Sequence, residues 1–500
     1  MAAARPKHRY SESPLRALLN IISTSVDAID AAYASANLPH PSLDAPYDPH
    51  APGEALRSDP GVAAAAKNII GAAAQMIAEL EHPFQGVTST AYAFHQAAAI
   101  SIASHLDLSE ILHDAGPGGV ALDEIASKSG ASEVLLAKVL RLLATQHIFR
   151  EVKPGVFTNN RLSSTLNKGK PYSVLARSRE ERLVGTSGRA ALIEFTGDEC
   201  FKASAALVDV ALDRDPKDEQ IALKRAFALG PSESLFQWHT RPENKARKER
   251  FACAMQGTAE SDNSEGLFQG FEWGSLPYGA LLVDVGSGTG GTLMRVVKRF
   301  PGHEFRIVNQ DLEGVIETTK RYWKTNMPAY DRVSFQTHDF LTPQPYACAA
   351  SNYYCKPHVF VLRHILHNWP TAQARVILRH LRAAAGPETQ LVVLESALPV
   401  VCRESDGTGH DDVVPGAARP PAPRPLLANG GRASASVYRM DTSVYRMDMT
   451  MYTLLGGSER TIGEYAALFA EAGWRLERVC RLPGTEQCHI VARPGAKSID

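Results

Sequence analysis

From residue 280 onward the chain alternates strand-like and helix-like stretches, and this alternation leaves few folds open. ALLVDVG is followed by TLMRVVKRF and EFRIVNQD by VIETTKRYW; VSFQTHDF stands next, and HVFVLRHIL leads through AQARVILRHLR to QLVVLES. Branched apolar residues fill each strand-like run, and the stretches between them space their apolar residues at helical intervals. Strands that alternate with helices form a mostly parallel sheet, and the helices cover both of its faces. The end, WRLERVCRLPGTEQCHIVARP, reads as a hairpin added to the sheet edge. The expectation is an α/β, Rossmann-like domain over 276–500.

A chain of 500 residues exceeds one ordinary core, so other domains precede this one. Residues 14 to about 115 are helical in pattern, broken by a Pro/Asp-rich loop near 39–60. Residues 120–160 read as a winged helix-turn-helix: one helix from Leu122 to Lys128, a second from Glu133 to Thr145, then a hairpin with Pro154-Gly155 at its turn. Such a unit either reads DNA or serves as a structural, dimerising element. Leu135, Leu136, Val139, Leu140, Leu142 and Leu143 cover most of the second helix, and only Lys138 and Arg141 are basic. A groove-reading helix needs an exposed basic face, so the expectation is a buried helix, a homodimer and no nucleic acid. The parts are then a helical dimerisation domain at 1–175, a helical connecting region at 176–275 and the α/β domain at 276–500.

The formal net charge of −1 gives no global field that favours nucleic acid or an anionic membrane. GVAAAAKNIIGAAAQMIAEL is interrupted by Lys67 and Glu79 and reads as a soluble helix rather than a span. The N-terminal stretch lacks the apolar core of a secretory signal. Seven cysteines without a C-x-x-C pair argue against a zinc site or a disulfide scaffold, which suits a cytoplasmic protein. Residues 403–435, rich in Pro, Gly and Ala, interrupt the α/β pattern and read as a mobile surface loop. Just after them Ser436–Asp441 recurs as Ser443–Asp448, a single short duplication.

The candidate chemistry gathers at the strand ends. LLVDVGSGTGG is a strand that meets a glycine turn, and it can be read in two phases. Gly286, Gly288 and Gly291 fit a dinucleotide turn. Asp284, Gly286, Gly288 and Gly290 fit acid-x-G-x-G-x-G, which suits a methyl donor. Asp311, just past the second strand, can accept from both hydroxyls of a ribose, and Asp339-Phe340, at the end of the third, can meet an adenine. A second acid there suits an adenosyl group that lies across the strand ends. The fourth strand ends in RHILHNWP with His367, and Glu395 and Glu459 can converge on the same edge. An imidazole with carboxylate partners is a general-base arrangement. By two-residue strand periodicity His364 faces away from His367 and is read as packing.

At these residues the chain resembles the plant-type (class I) S-adenosylmethionine-dependent O-methyltransferases, and most closely their fungal branch. The resemblance rests on the winged-helix region, LLVDVGSGTG, NQDLEGVI, HDF, LRHILHNWP and DMTMYTLLGGSERTIGEYAALFAEAGW, in this order. It implies Gly286 at the methionine part of the donor, Asp311 at its ribose, and Asp339 and Phe340 at its adenine, with Arg363 as a basic contact. It implies His367 as the catalytic base, held by Glu395 and Glu459, and Met255 packed against the acceptor. Asn368 stands where the family commonly has Asp, and the Pro-rich insertion falls between the two glutamates. The implied reaction moves a methyl group from S-adenosylmethionine to a hydroxyl of a small aromatic molecule, without a metal. A nicotinamide-dependent oxidoreductase and a non-catalytic winged-helix regulator are the competing readings.

Overall fold

The computed structural model describes residues 13–213, 222–261, 266–345, 356–400, 414–418, 422–426, 444–482 and 487–495. Its centre is a seven-stranded sheet of β4 (Leu281–Val285), β5 (Arg306–Asp311), β6 (Val333–Thr337), β7 (Val359–Arg363), β8 (Gln390–Ser396), β9 (Trp474–Arg481) and β10 (Gln487–Pro494). The strand order is β6-β5-β4-β7-β8-β10-β9. The first five are parallel, and β10 and β9 add antiparallel pairs at the edge. From β4 the chain runs outward to β5 and β6, then returns to β7 on the other side. Strand order therefore reverses between β4 and β7, and ligands of such sheets bind in the crevice at that point.

The central strands are mostly apolar because both faces are buried, with Asp284 on β4 and Asn309 and Gln310 on β5 among the buried polar exceptions. Val283, Val285, Phe360, Leu362 and Val393 pack on one face with Ile377, Leu378 and Leu381 of helix Thr371–Ala384. Leu282, Ile307, Val361 and Val392 pack on the other with Val296, Val297 and Trp323. The expected α/β domain and the helical unit before it are both present.

The winged unit is also present. Helices Leu122–Ser129 and Glu133–Ala144 precede β2 (Arg150–Lys153) and β3 (Val156–Thr158), and β1 (Val120–Ala121) pairs with β3. Gly155 has φ 74°, as the third residue of a type II turn requires. The second helix is less buried than its sequence suggests. Leu136, Val139, Leu140 and Leu143 enter the core, but Val134 and Leu135 are 68% and 44% exposed.

Helix Pro60–Leu80 is long and apolar enough, by length and composition, to cross a membrane. Its Ala72 packs with Leu18 and Ile21 of helix Pro14–Ser35. The fourth member of that cluster is Leu426, from the Pro-rich insertion. The insertion is therefore not a free loop where it is described. Pro415 O accepts from Val479 N–H at 2.9 Å and Ala417 O from Arg481 Nε at 2.8 Å, both on edge strand β9. Ala417 and Leu426 are 0% and 1% exposed. Ser436–Asp441, the first copy of the duplication, lies outside the described residues; from Val444 the second copy opens helix Val444–Leu455.

Candidate active site

The glycine turn after β4 gives its left-handed conformations to the acid-spaced set. Gly286, Gly288 and Gly290 have φ of 71°, 56° and 73°, whereas Gly291 is not in the left-handed region and starts helix Gly291–Arg299. A Cβ at 286 would lie 2.5 Å from Ile365 Cδ1, and one at 290 would lie 2.3 Å from Trp323 Nε1. The glycines needed are those of the acid-spaced phase, and each is needed for backbone conformation. Gly286 and Ser287 donate their N–H groups to Gln310 O, both at 2.9 Å, which fastens the turn to β5.

Asp284 lies at 2% exposure on β4. Burial and the neighbouring Asp311 push its pKa up to about 7, and its Oδ2 has no hydrogen-bond partner among the described residues. Asp311 closes β5. Its Oδ2 accepts from Gly288 N–H at 2.9 Å and its Oδ1 from Leu312 N–H at 2.8 Å, and burial raises its pKa. Asp339 stands two residues beyond the end of β6 rather than on the strand, and its Oδ1 accepts from Leu341 N–H at 2.9 Å in a tight turn. Phe340 meets Trp369 edge to face at 5.7 Å and reaches over Gly286. Arg363 ends β7, donates from Nη1 to Thr292 Oγ1 at 3.4 Å, and has its pKa pushed down to about 10 by burial. Met255 is 37% exposed on helix Lys245–Ser261, next to Ala254, which packs with Leu454.

His367 is not at a strand end. It sits in a short 3-10 turn, Leu366–Asn368, beyond β7, because His364 takes φ 54° and breaks the strand. Strand periodicity therefore does not separate the two histidines. Their ring centroids are 5.4 Å apart, and burial, with Arg363 and His367 nearby, pushes the His364 pKa down to about 3. His367 Nδ1 lies 2.7 Å from Glu459 Oε1, with His367 7% and Glu459 1% exposed. Burial disfavours the imidazolium of His367, but Glu459 and Glu395 outweigh it, so its pKa is raised. A carboxylate oxygen only accepts, so Nδ1 carries the proton and Nε2 keeps its lone pair.

Glu395 holds His367 differently from the expectation. It does not bond the ring. Its Oε1 accepts from the backbone N–H groups of Ile365, Leu366 and His367 at 2.9, 2.5 and 3.3 Å. Its Oε2 accepts from Tyr465 OH at 2.5 Å. Burial, with Glu395 and Glu459 nearby, keeps that hydroxyl protonated far above the usual range.

Three more residues take part, of which the sequence had drawn attention only to Asn368. Asp448, in the second copy of the duplication, accepts Glu459 N–H at 2.9 Å, so the duplicated segment helps to place the glutamate. Asn368 Nδ2 donates to His364 O at 2.8 Å and closes the turn. Arg460 donates from Nη1 to Leu366 O at 2.9 Å and from Nη2 to Trp369 O at 2.8 Å. Arg460 directly follows Glu459 in the polar stretch GGSERT, where nothing in the sequence set it apart.

Residues 207–414 match the model of an O-methyltransferase domain, and residues 88–169 that of an O-methyltransferase dimerisation domain. An O-methyltransferase of Armillaria gallica is 37% identical over 96% of this chain and 99% of its own length. 4-O-methyltransferase 1 of Phanerochaete chrysosporium is 35% identical over 95% of this chain and 97% of its own. The solved structure of a mitomycin 7-O-methyltransferase shares the fold with a TM-score of 0.59 at 21% identity, covering 85% of this chain and 99% of that one.

Proposed function

The chain belongs to the S-adenosylmethionine-dependent O-methyltransferases, and on that premise we propose that His367 takes the proton of an acceptor hydroxyl as the hydroxyl oxygen receives the methyl group. The observation that carries this reading is the buried 2.7 Å contact of His367 Nδ1 with Glu459, which leaves Nε2 as the proton acceptor. The donor supplies a methyl group on a sulfonium, already activated for in-line displacement and in no need of a metal. The acceptor oxygen bonds the methyl carbon, the carbon–sulfur bond breaks towards sulfur, and the hydroxyl proton passes to Nε2. Glu459 stabilises the imidazolium, which then returns its proton to water.

The glycine cradle and the buried, unpartnered oxygen of Asp284 support a donor seated at the reversal of the sheet. In this reading Gly286 and Gly288 approach its methionine part, Asp311 accepts from its ribose, Asp339 and Phe340 meet its adenine, and Arg363 adds a cationic contact. Met255 faces the acceptor. The acceptor is a small phenolic metabolite: a phenol near pKa ~10 is within reach of an imidazole base, whereas an aliphatic alcohol is far weaker as an acid. The match to the dimerisation domain supports a homodimer. Incubation with isotopically labelled S-adenosylmethionine and a panel of phenols, read by mass analysis, tests the reading. Labelled methyl ethers are the expected result; turnover confined to non-hydroxyl acceptors would overturn it.

A further inference from the structure

The six-residue stretch His364–Trp369 must present His367 while its own backbone is largely shut away from water. Each buried N–H and C=O needs a partner, and the partners can be traced. Glu395 takes the N–H groups of Ile365, Leu366 and His367. Asn368 and Trp369 donate back to Ile365 O and Leu366 O inside the turn. Ser458 N–H meets His367 O at 2.9 Å, and Asn368 Nδ2 meets His364 O. One guanidinium takes Trp369 O, shares Leu366 O with the Trp369 N–H, and reaches Ser458 O at 3.1 Å as well.

We propose that Arg460 is a positioning residue for the methyl transfer, holding both ends of the turn that presents His367 and setting a fixed cation beside its imidazole. The proposal rests on the reading of His367 as the base. The fork of an arginine can bridge two carbonyls at once; the ammonium of a lysine is a point donor and cannot reproduce that geometry. Arg460 is 3% exposed, and among the described residues its guanidinium is held by backbone carbonyls rather than by a contact ion pair. The groups that face His367 are Glu459 from the neighbouring segment, Glu395 from β8, His364 from the same turn and Tyr465 from helix Ile462–Glu471, with Asp448 behind Glu459. Arg460 is the cation set against those carboxylates and opposes their pull on the imidazole.

The test compares Arg460→Lys, Arg460→Gln, Glu459→Gln and His367→Gln by kcat against pH, donor affinity and melting temperature. Arg460→Lys should keep the acid limb of the profile but lose roughly ten- to a hundredfold in kcat, the scale of a misplaced catalytic group. Arg460→Gln should lose as much and move the acid limb to higher pH, opposite in sign to Glu459→Gln. Donor affinity should hold in both. A lysine variant within twofold of the parent, or a glutamine variant with an unmoved limb, would overturn the assignment. If Arg460→Gln does not fold, the kcat of the lysine variant decides. A fully active His367→Gln would instead remove the base reading on which the proposal stands.

Discussion

At the scale of single residues, the site sets two titrations against their usual values. The pKa of His367 is raised, and a base must be neutral, so the acid limb of kcat should lie above ~6.5, the unperturbed value of histidine. A kcat profile that is flat down to pH 6 would contradict this. Asp284 runs the other way for stability. Burial and Asp311 raise it to about 7, so the folded state favours the protonated acid. The stability it contributes is complete below its unfolded value near ~3.9 and is lost as pH rises through 7. Asp284→Asn should therefore raise the melting temperature, relative to the parent, more at pH 8 than at pH 4. Equal differences at the two pH values would show that the carboxyl is not held neutral by the fold. Asp311→Ala removes a charged acceptor and should weaken donor binding by roughly ten- to a hundredfold in calorimetry.

At the scale of elements, what the sequence reveals follows from how regular the packing is. β4, β5, β7 and β8 are buried on both faces, and such strands write runs dominated by branched apolar residues. The Pro-rich insertion is different. Its anchors are single residues, Ala417 and Leu426, in a stretch without period, and backbone bonds to Val479 and Arg481 leave no mark in the sequence. Glu395 was visible as a strand-end acid, but its bonds to three backbone N–H groups were not, because no spacing encodes them. His367 was singled out, yet placed at a strand end, because nothing in HILHN announces the left-handed turn at His364. The insertion yields a prediction. Leu426→Ala leaves a gap between helices Pro14–Ser35 and Pro60–Leu80, and should cost about 2–3 kcal/mol in urea unfolding, within the range for a buried leucine. A loss below about 0.5 kcal/mol, the usual surface value, would return the insertion to the status of a loose loop.

At the scale of the whole molecule, the N-terminal half leaves apolar surface uncovered. Ile77, Leu80, Phe84, Val87, Tyr92 and Phe94 are all exposed within eighteen positions of chain, and Val134 and Leu135 add to them. The match to a dimerisation domain begins at residue 88, inside this stretch. Exposed apolar patches of this extent mark association surfaces. Light scattering should give a dimer at micromolar concentration, and Phe84→Glu with Val87→Glu should give a monomer. A parent protein that scatters as a monomer would leave that surface without the proposed role.

The central claim is that an imidazole held by Glu459 takes the acceptor proton, and its most direct measurement is the turnover of His367→Gln over phenols of increasing acidity. For a weakly acidic phenol, kcat should fall by roughly 10²–10⁴, the usual range for a positioned general base, with donor affinity unchanged. A phenol acidic enough to ionise unaided should recover much of that loss. Near-normal turnover of the weakly acidic phenol by His367→Gln would contradict the account.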